Sequence, residues 1–296
     1  MSEFISANLP YLLAGISVGG QYALIAIGYT MVYGILRLIN FAHGDVFMVA
    51  GLVMVYATAS LPIYVSVILV IVVTVLLGVL IEKVAYKPLR SAPRMSVMIS
   101  AIGVSYLLQN LSTYVTGGLA QSYPNIPWLR TEIQIGSITV RRLAILTPVL
   151  TILLVIALVL LIKHTKMGMA MRAVAKDFDT AQLMGIRIDR IISFTFVIGS
   201  FLAAVGSILY FSYIGQVSPT IGAMPGLKSF VAAVFGGIGS VPGAVIGSYI
   251  IGICETFIKS NQDISIFSNA FTFALLIIIL LIKPNGLFGE KLKEKV

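Results

Sequence analysis

Apolar runs about as long as a bilayer is thick recur along this chain, and they constrain its fold more than any other feature. A membrane-spanning helix needs roughly 20 predominantly apolar residues. Residues 9–31, 41–61, 63–81, 95–115, 143–162, 191–213 and 267–282 all form runs of about that length or a little shorter. An eighth stretch, 227–258, is longer, but Gly236, Gly237, Gly239, Pro242 and Gly243 interrupt it, so it reads as two shorter helices. The runs are continuous rather than alternating, which favours helices over a closed barrel. The expectation is an all-α polytopic membrane protein, a single transmembrane domain over 1–296 with about eight to nine helices, some broken or re-entrant.

Composition agrees. Of 296 residues, 58% are hydrophobic and 10% charged, against about 25% charged in a soluble domain. Such a surface needs membrane lipid around it. The one cysteine, Cys254, lies in an apolar run and reads as a small packing residue, so no disulfide framework forms within the chain. The start, Met1-Ser2-Glu3-Phe4, carries no basic n-region, and a cleaved signal peptide is not expected.

The net charge of +9 sits in a few loops. It reads as a positive-inside signal rather than a nucleic-acid one. Lys83, Lys87, Arg90 and Arg94 mark the loop 82–94. Lys163, Lys166, Arg172, Lys176, Arg187 and Arg190 mark the loop 163–190, and Lys283, Lys291, Lys293 and Lys295 mark the tail. All three are expected in the cytoplasm, which puts the C-terminus inside, the N-terminus outside and the loop 117–142 outside. Arg130, Arg141 and Arg142 go against the rule there.

Polar residues inside apolar segments are the candidates for chemistry, because an ionisable group at membrane depth is costly and usually pairs or lines a cavity. Asn40 and His43 fall in the segment from Arg37 to Asp45, where Arg37 and Asp45 fit an interfacial ion pair. His164 is the only other histidine, and no ligand set surrounds His43, so a metal site is not expected. Glu255 lies deep in the broken stretch. Lys228 follows a Pro-Gly pair and is placed near an outer mouth, where it would attract a carboxylate, with Phe230, Val231 and Val234 as apolar walls. Asn40, His43, Lys228, Phe230, Val234 and Glu255 are therefore the candidate path residues. Gly15, Gly19 and Gly20, and again Gly243, Gly247 and Gly252, have the small-residue spacing that lets helices approach closely in lipid.

In the loop 163–190, Met171, Val174, Phe178 and Ala181 keep helical spacing. Asp177 or Asp179 suits an N-cap and Gly185 a left-handed stop. A short helix there fits a partner's groove or the membrane surface, and its pattern does not separate the two. The chain contains no phosphate-binding G-x-x-x-x-G-K-[ST] loop, nucleophile elbow, H-E-x-x-H or paired-cysteine motif, which argues against an enzyme and against ATP binding of that kind. No cofactor is expected.

Taken together, Tyr22 to Gly34 with Ile39 to Gly44, Glu82 to Arg90, Met167 to Gly185, and Gly226 to Gly243 with Lys283 to Gly289 resemble the permease subunits of branched-chain amino acid ABC importers, the LivH type. The resemblance runs nearly end to end. It implies import of Leu, Ile and Val. It also implies a second permease, related or identical, two cytoplasmic ATPases docked on short coupling helices, and an external solute-binding protein that delivers the substrate. It implies an inner-membrane location. Asp179-Thr180-Ala181-x-x-x-Gly185 resembles the E-A-A-x-x-x-G element of importer permeases, with Asp for Glu and Thr for the first Ala. That likeness puts ATPase coupling on Arg172, Ala173, Asp179, Thr180, Ala181 and Gly185. Two other readings stand beside it: a related permease for urea, amides or another small solute, and an ion-coupled carrier using Glu255 and Asp45 in broken helices.

Overall fold

The computed structural model describes residues 2–90, 92–135 and 138–289. Lys291, Lys293 and Lys295 of the basic tail lie outside them. The order is α1 (Ser2–Leu36), α2 (His43–Thr58), α3 (Ile63–Ile81), α4 (Arg94–Thr116), β1 (Gln121–Ser122), α5 (Pro127–Arg130), β2 (Glu132–Ile135), β3 (Ile138–Arg141), α6 (Arg142–His164), α7 (Lys166–Lys176), α8 (Phe178–Leu183), α9 (Ile188–Ile214), β4 (Gln216–Val217), α10 (Ala223–Gly236), α11 (Val241–Ser260) and α12 (Ser268–Ile282). Among the described residues, seven helices are long and apolar enough to cross a membrane, α12 together with the 3-10 turn Ser265–Phe267 before it, and α2 and α10 are shorter apolar helices.

The expected runs for α3, α4, α6 and α12 match the observed helices to within about two residues at each end, because each run ends in a clear stop. Helix α3 continues into one π-helical turn (Glu82–Tyr86) and a short 3-10 turn (Lys87–Leu89) before Pro93 leads into α4. The long broken stretch is two helices. Helix α10 ends at Gly236, and Gly237 and Gly239 follow with φ of +109° and +98°. Side-chain-bearing residues rarely adopt that backbone. Val241 and Pro242 then open α11, whose first N–H groups are capped by Ser240 accepting from the Gly243 amide at 3.3 Å.

Helix α1 is central and packs along α11, α9, α6 and α10. Glycines set its approach to α11: a Cβ at Gly15 would lie 2.8 Å from the Ile253 Cα, and one at Gly19 would lie 2.7 Å from the Tyr249 Cα. Gly236, Gly243 and Gly247 likewise bring α10 and α11 into backbone contact. Lipid tails are as apolar as leucine, so hydrophobicity does not drive such pairs together. Close van der Waals packing of backbones does.

Strand pairings mark one end of the bundle, and ion pairs with backbone contacts mark the other. At one end β1 pairs antiparallel with β4, Gln121 opposite Val217, and β2–β3 forms a hairpin with Glu132 opposite Arg141. Arg142 stacks over Trp128 there at 5.9 Å, so its guanidinium lies over an aromatic face. At the other end, Lys87 and Arg90 pair with Asp189. Gly239 lies against Gly34 at the end of α1, and the Leu287 and Phe288 amides donate to the Phe235 and Gly236 carbonyls at 3.0 Å. The loops 82–94 and 163–190 thus share one face of the bundle with the 283–289 segment, and the loop 117–142 lies on the opposite face.

Candidate functional site

Three polar assemblies stand out in the apolar bundle. The first surrounds the break between α1 and α2. Helix α1 stops at Leu36 because Arg37 adopts φ +54°, the one positive φ outside glycine among the described residues. The chain turns back, and α2 starts at His43 rather than at the membrane surface. The His43 ring fills the notch left by Gly28, where a Cβ would collide with it, and its Cε1 is 3.7 Å from the position a Gly199 Cβ would take. Gly28 lies eight residues before the end of α1, about 12 Å at 1.5 Å per residue. Gly199 lies eleven residues into α9, about 16 Å on the same measure. His43 is therefore near mid-depth. Tyr29 meets it edge-on at 5.0 Å, and Phe230 of α10 meets Tyr29 at 5.9 Å and Phe41 at 6.4 Å. Asn40 is buried and accepts from the Tyr86 hydroxyl at 2.9 Å. Asn40, His43 and Phe230, distant in sequence, thus share one aromatic-walled region. Tyr29, which holds it together, was missed because a tyrosine in an apolar run carries no signal of its own.

Asp45 departs from expectation. Among the described residues no ion pair joins it to Arg37. Its carboxylate instead accepts from Ser105 at 2.5 Å and Gln109 Nε2 at 3.0 Å, both on α4. The turn at Arg37 carries the arginine away while α2 draws Asp45 inward.

The second assembly joins α1, α10 and α11. Lys228 Nζ and Lys259 Nζ each lie 2.6 Å from Glu255 Oε1, and the Tyr22 hydroxyl donates to Glu255 Oε2 at 2.9 Å. The Glu255 side chain is 1% exposed and that of Lys259 55% exposed, so the assembly runs from the core to the surface. Lys228 is consequently not free at an outer mouth. It is buried, and its charge is committed to Glu255. Val234, half-buried, sits in the last turn of α10, and its carbonyl accepts from the Gly237 amide at 3.1 Å.

The third lies on the face shared by the basic loops. The expected single short helix is two, because Asp177 is extended (φ −155°, ψ 114°) and divides α7 from α8. Its carboxylate accepts from the Asp179 and Thr180 amides at 3.0 and 3.1 Å. Gly185 closes the segment with φ +81°. Ala181 is buried and Ala173 half-buried against the bundle. Asp179 and Thr180 are exposed, and Arg172 is exposed while donating to the Ile162 carbonyl at the end of α6. Leu183 and Met184 stand 87% and 78% exposed at the tip. Beside them is a cavity of about 860 Å³ whose lining includes Phe178, Gln182, Arg90, Arg187, Asp189 and Arg190. Arg90 bridges Asp189 to Glu82, which is fully buried and also accepts from Ser193 at 2.8 Å. Glu82, an acid at the head of a basic loop, was a signal that went unread.

Comparison with known proteins adds to this geometry. The chain is 40% identical to the high-affinity branched-chain amino acid transport system permease protein LivH of Salmonella typhimurium, covering 100% of both chains. It is 39% identical to the corresponding permease protein BraD of Pseudomonas aeruginosa, covering 97% of this chain and 98% of that one. Among solved structures, PsaBC from Streptococcus pneumoniae, determined with a Fab, matches with a TM-score of 0.50 at 14% identity over 96% of each chain, which speaks to the fold alone. Residues 11–280 match the family described as branched-chain amino acid transport system, permease component, and the chain belongs to that family.

Proposed function

We propose that this chain is the permease subunit of an ABC importer that carries branched-chain amino acids across the inner membrane. ATP hydrolysis is supplied by two separate cytoplasmic ATPases, substrate by an external binding protein, and the rest of the path by a second permease, related or identical. The observation that carries this reading is the end-to-end match, at 40% identity, to a permease whose name states that transport. The bundle is consistent with it: a multi-pass membrane protein with a capped two-helix loop on one face and interrupted helices at mid-depth. Irregular backbone at that depth persists where protein or a watery cavity satisfies it. The face bearing the basic loops is cytoplasmic on the positive-inside bias, which places the N-terminus outside and the C-terminus inside.

The ATPase-docking surface is the α7–α8 loop, with exposed Leu183 and Met184 as its apolar tip and Arg172, Ala173, Asp179, Thr180, Ala181 and Gly185 shaping it. The path includes Asn40, His43, Phe230 and Val234, with Lys228 and Glu255 bracing the interrupted helices. The test uses the complete importer in proteoliposomes. Gly185→Trp is expected to leave the bundle assembled and to separate ATP hydrolysis from leucine uptake, because a side chain strains φ +81°. Leu183→Asp is expected to weaken ATPase attachment, read by co-purification. Normal coupled uptake in both variants would remove the docking assignment.

A further inference from the structure

Two chains of contacts end on the π-helical turn Glu82–Tyr86, where the Lys87 amide donates to the Glu82 carbonyl in an i→i+5 closure. Single π-turns set into α-helical segments are rare and occur frequently at functional sites. One chain leads to the α7–α8 loop. Asp189 stands four residues past Gly185, in the first turn of α9. Arg90 bridges it to Glu82, and Glu82 also accepts from Ser193, one turn further along α9, at 2.8 Å. Glu82 is fully buried. A surface ion pair contributes little, but a buried carboxylate stripped of its partner is costly, so the turn is tied firmly to Arg90. The Tyr86 ring packs on Phe196 at 5.3 Å, three residues on from Ser193 and on the same face of α9.

The other chain leads inward. The buried Tyr86 hydroxyl donates to Asn40 at 2.9 Å. Asn40 lies in the non-helical turn between α1 and α2, and its own carbonyl accepts from the amide of His43, the first residue of α2, at 3.0 Å. The side chain that Tyr86 holds therefore belongs to the residue on which α2 starts. Glu82 and Tyr86, the two ends of one turn, thus answer to different parts of the molecule. A turn closed i→i+5 differs from an α-turn by one step of register. Coupling between distant sites is carried by elements with such discrete arrangements.

We propose that the π-turn is the link through which the α7–α8 loop governs the start of α2. Glu82 and Arg90 are the positioning residues at its loop end, and Tyr86 is the one at its inner end. A displacement of the first turn of α9 pulls on Arg90 and so on the turn, and Tyr86 passes it to Asn40. The link rests on the importer reading, which puts an ATPase at that loop. Helix α9 also packs directly on α1 and α2, and substitutions that touch the turn alone separate the two routes.

Two quantities are measured on the assembled importer: amide hydrogen exchange over residues 43–46, and leucine carried per ATP hydrolysed. The His43, Asp45 and Val46 amides donate to the Asn40 and Ala42 carbonyls, so their exchange reports how firmly α2 starts. Tyr86→Phe removes the hydroxyl and keeps the ring. Arg90→Lys keeps the charge but loses the fork that reaches two carboxylates. Each is expected to speed exchange over 43–46 and to lower the leucine-to-ATP ratio by about fivefold or more, the low end of ordinary coupling between sites. The double variant should be no worse than the worse single one, because both cut the same chain. Thr151→Val, which deletes a buried hydroxyl bond to the Gly20 carbonyl away from the turn, should change neither quantity. Should Arg90→Lys fail to assemble, Asp189→Ala, at an exposed carboxylate, takes its place in the cycle. Exchange indifferent to these substitutions, additive effects, or an equal response to Thr151→Val would overturn the link. The exchange measurement needs no transport. If exchange responds as predicted while the unaltered complex shows no ATP-driven uptake, the importer reading alone falls. Coupled uptake with indifferent exchange would sink the link alone.

Discussion

Helices α1 and α12 are both apolar and long enough to span a bilayer, yet they are built on opposite plans. Two-thirds of the most apolar window of α1 is buried in the chain (67%), against 11% for α12. The buried helix is the less apolar of the two. It carries Ser17, Gln21, Tyr22, Tyr29 and Thr30 among its covered residues, together with glycines that admit α11 and α9 at backbone distance. Helix α12 is wholly aliphatic over residues 275–282; Ile277, Ile278, Leu281 and Ile282 are exposed, while Leu275, Leu276 and Ile279 rest half-buried against the bundle. In water the buried helix would be the more apolar one. In lipid the solvent takes any aliphatic side chain, so the interior is reserved for small residues that pack closely and polar groups that need partners. Between these two helices apolarity marks the outside, and glycine-marked, mildly polar sequence marks the interior.

That contrast can be broken most forcefully at Glu255. Glu255→Leu strands the buried Lys228 charge and should cost about 3–5 kcal/mol, the loss typical when one member of a buried pair is removed. It should be read as a large fall in the thermal midpoint of the purified complex. Replacing both members with Lys228→Met and Glu255→Leu should recover most of that loss. If the single substitution is silent, the pair is not part of the load on the interior. Gly19→Leu comes next. Its side chain would enter the Tyr249 backbone and should destabilise by about 1–3 kcal/mol or more, whereas Gly103→Leu on α4, with nothing within 4 Å of its Cβ position, should leave stability unchanged. Equal effects at the two glycines would erase the distinction. Smaller again is Asp177→Ala, which removes the α8 cap and should cost about 1 kcal/mol. Its signature is a lower ratio of leucine transported to ATP hydrolysed, with the bundle itself intact. Smallest is Ile277→Ala on the outer face of α12, expected within about 0.5 kcal/mol of the parent.

Much of this arrangement could be read from the sequence, and the parts that could not share one cause. The spans, the break into two helices around residues 236–241 and the capping within the 163–190 loop all follow from contiguous residues: apolar run length, glycine and proline stops, and an Asp before Phe178. The pairing of Lys228 with Glu255 and Tyr22 joins positions 27 and 233 residues apart, and that of Asp45 with Ser105 and Gln109 joins positions 60 and 64 apart. No local pattern contains such information. The expected Arg37–Asp45 pair failed for the same reason in reverse. The two are close in sequence, but a single positive φ at Arg37 sends them to different depths. The start of α2 at mid-depth was hidden as well, because the run from residue 41 to 61 is long enough to span while the helix itself covers 16 residues.

The central claim is that this chain conducts substrate only as one part of an ATP-driven assembly. The direct measurement is accumulation of labelled leucine in proteoliposomes, compared between the complete importer with its ATPases, partner permease and binding protein, and this chain alone under a proton or sodium gradient. Accumulation in the complete importer that requires ATP and the binding protein, with none by the chain alone, is the result predicted here. Leucine accumulation by the chain alone, driven by either gradient, would contradict the account and make the protein a secondary carrier.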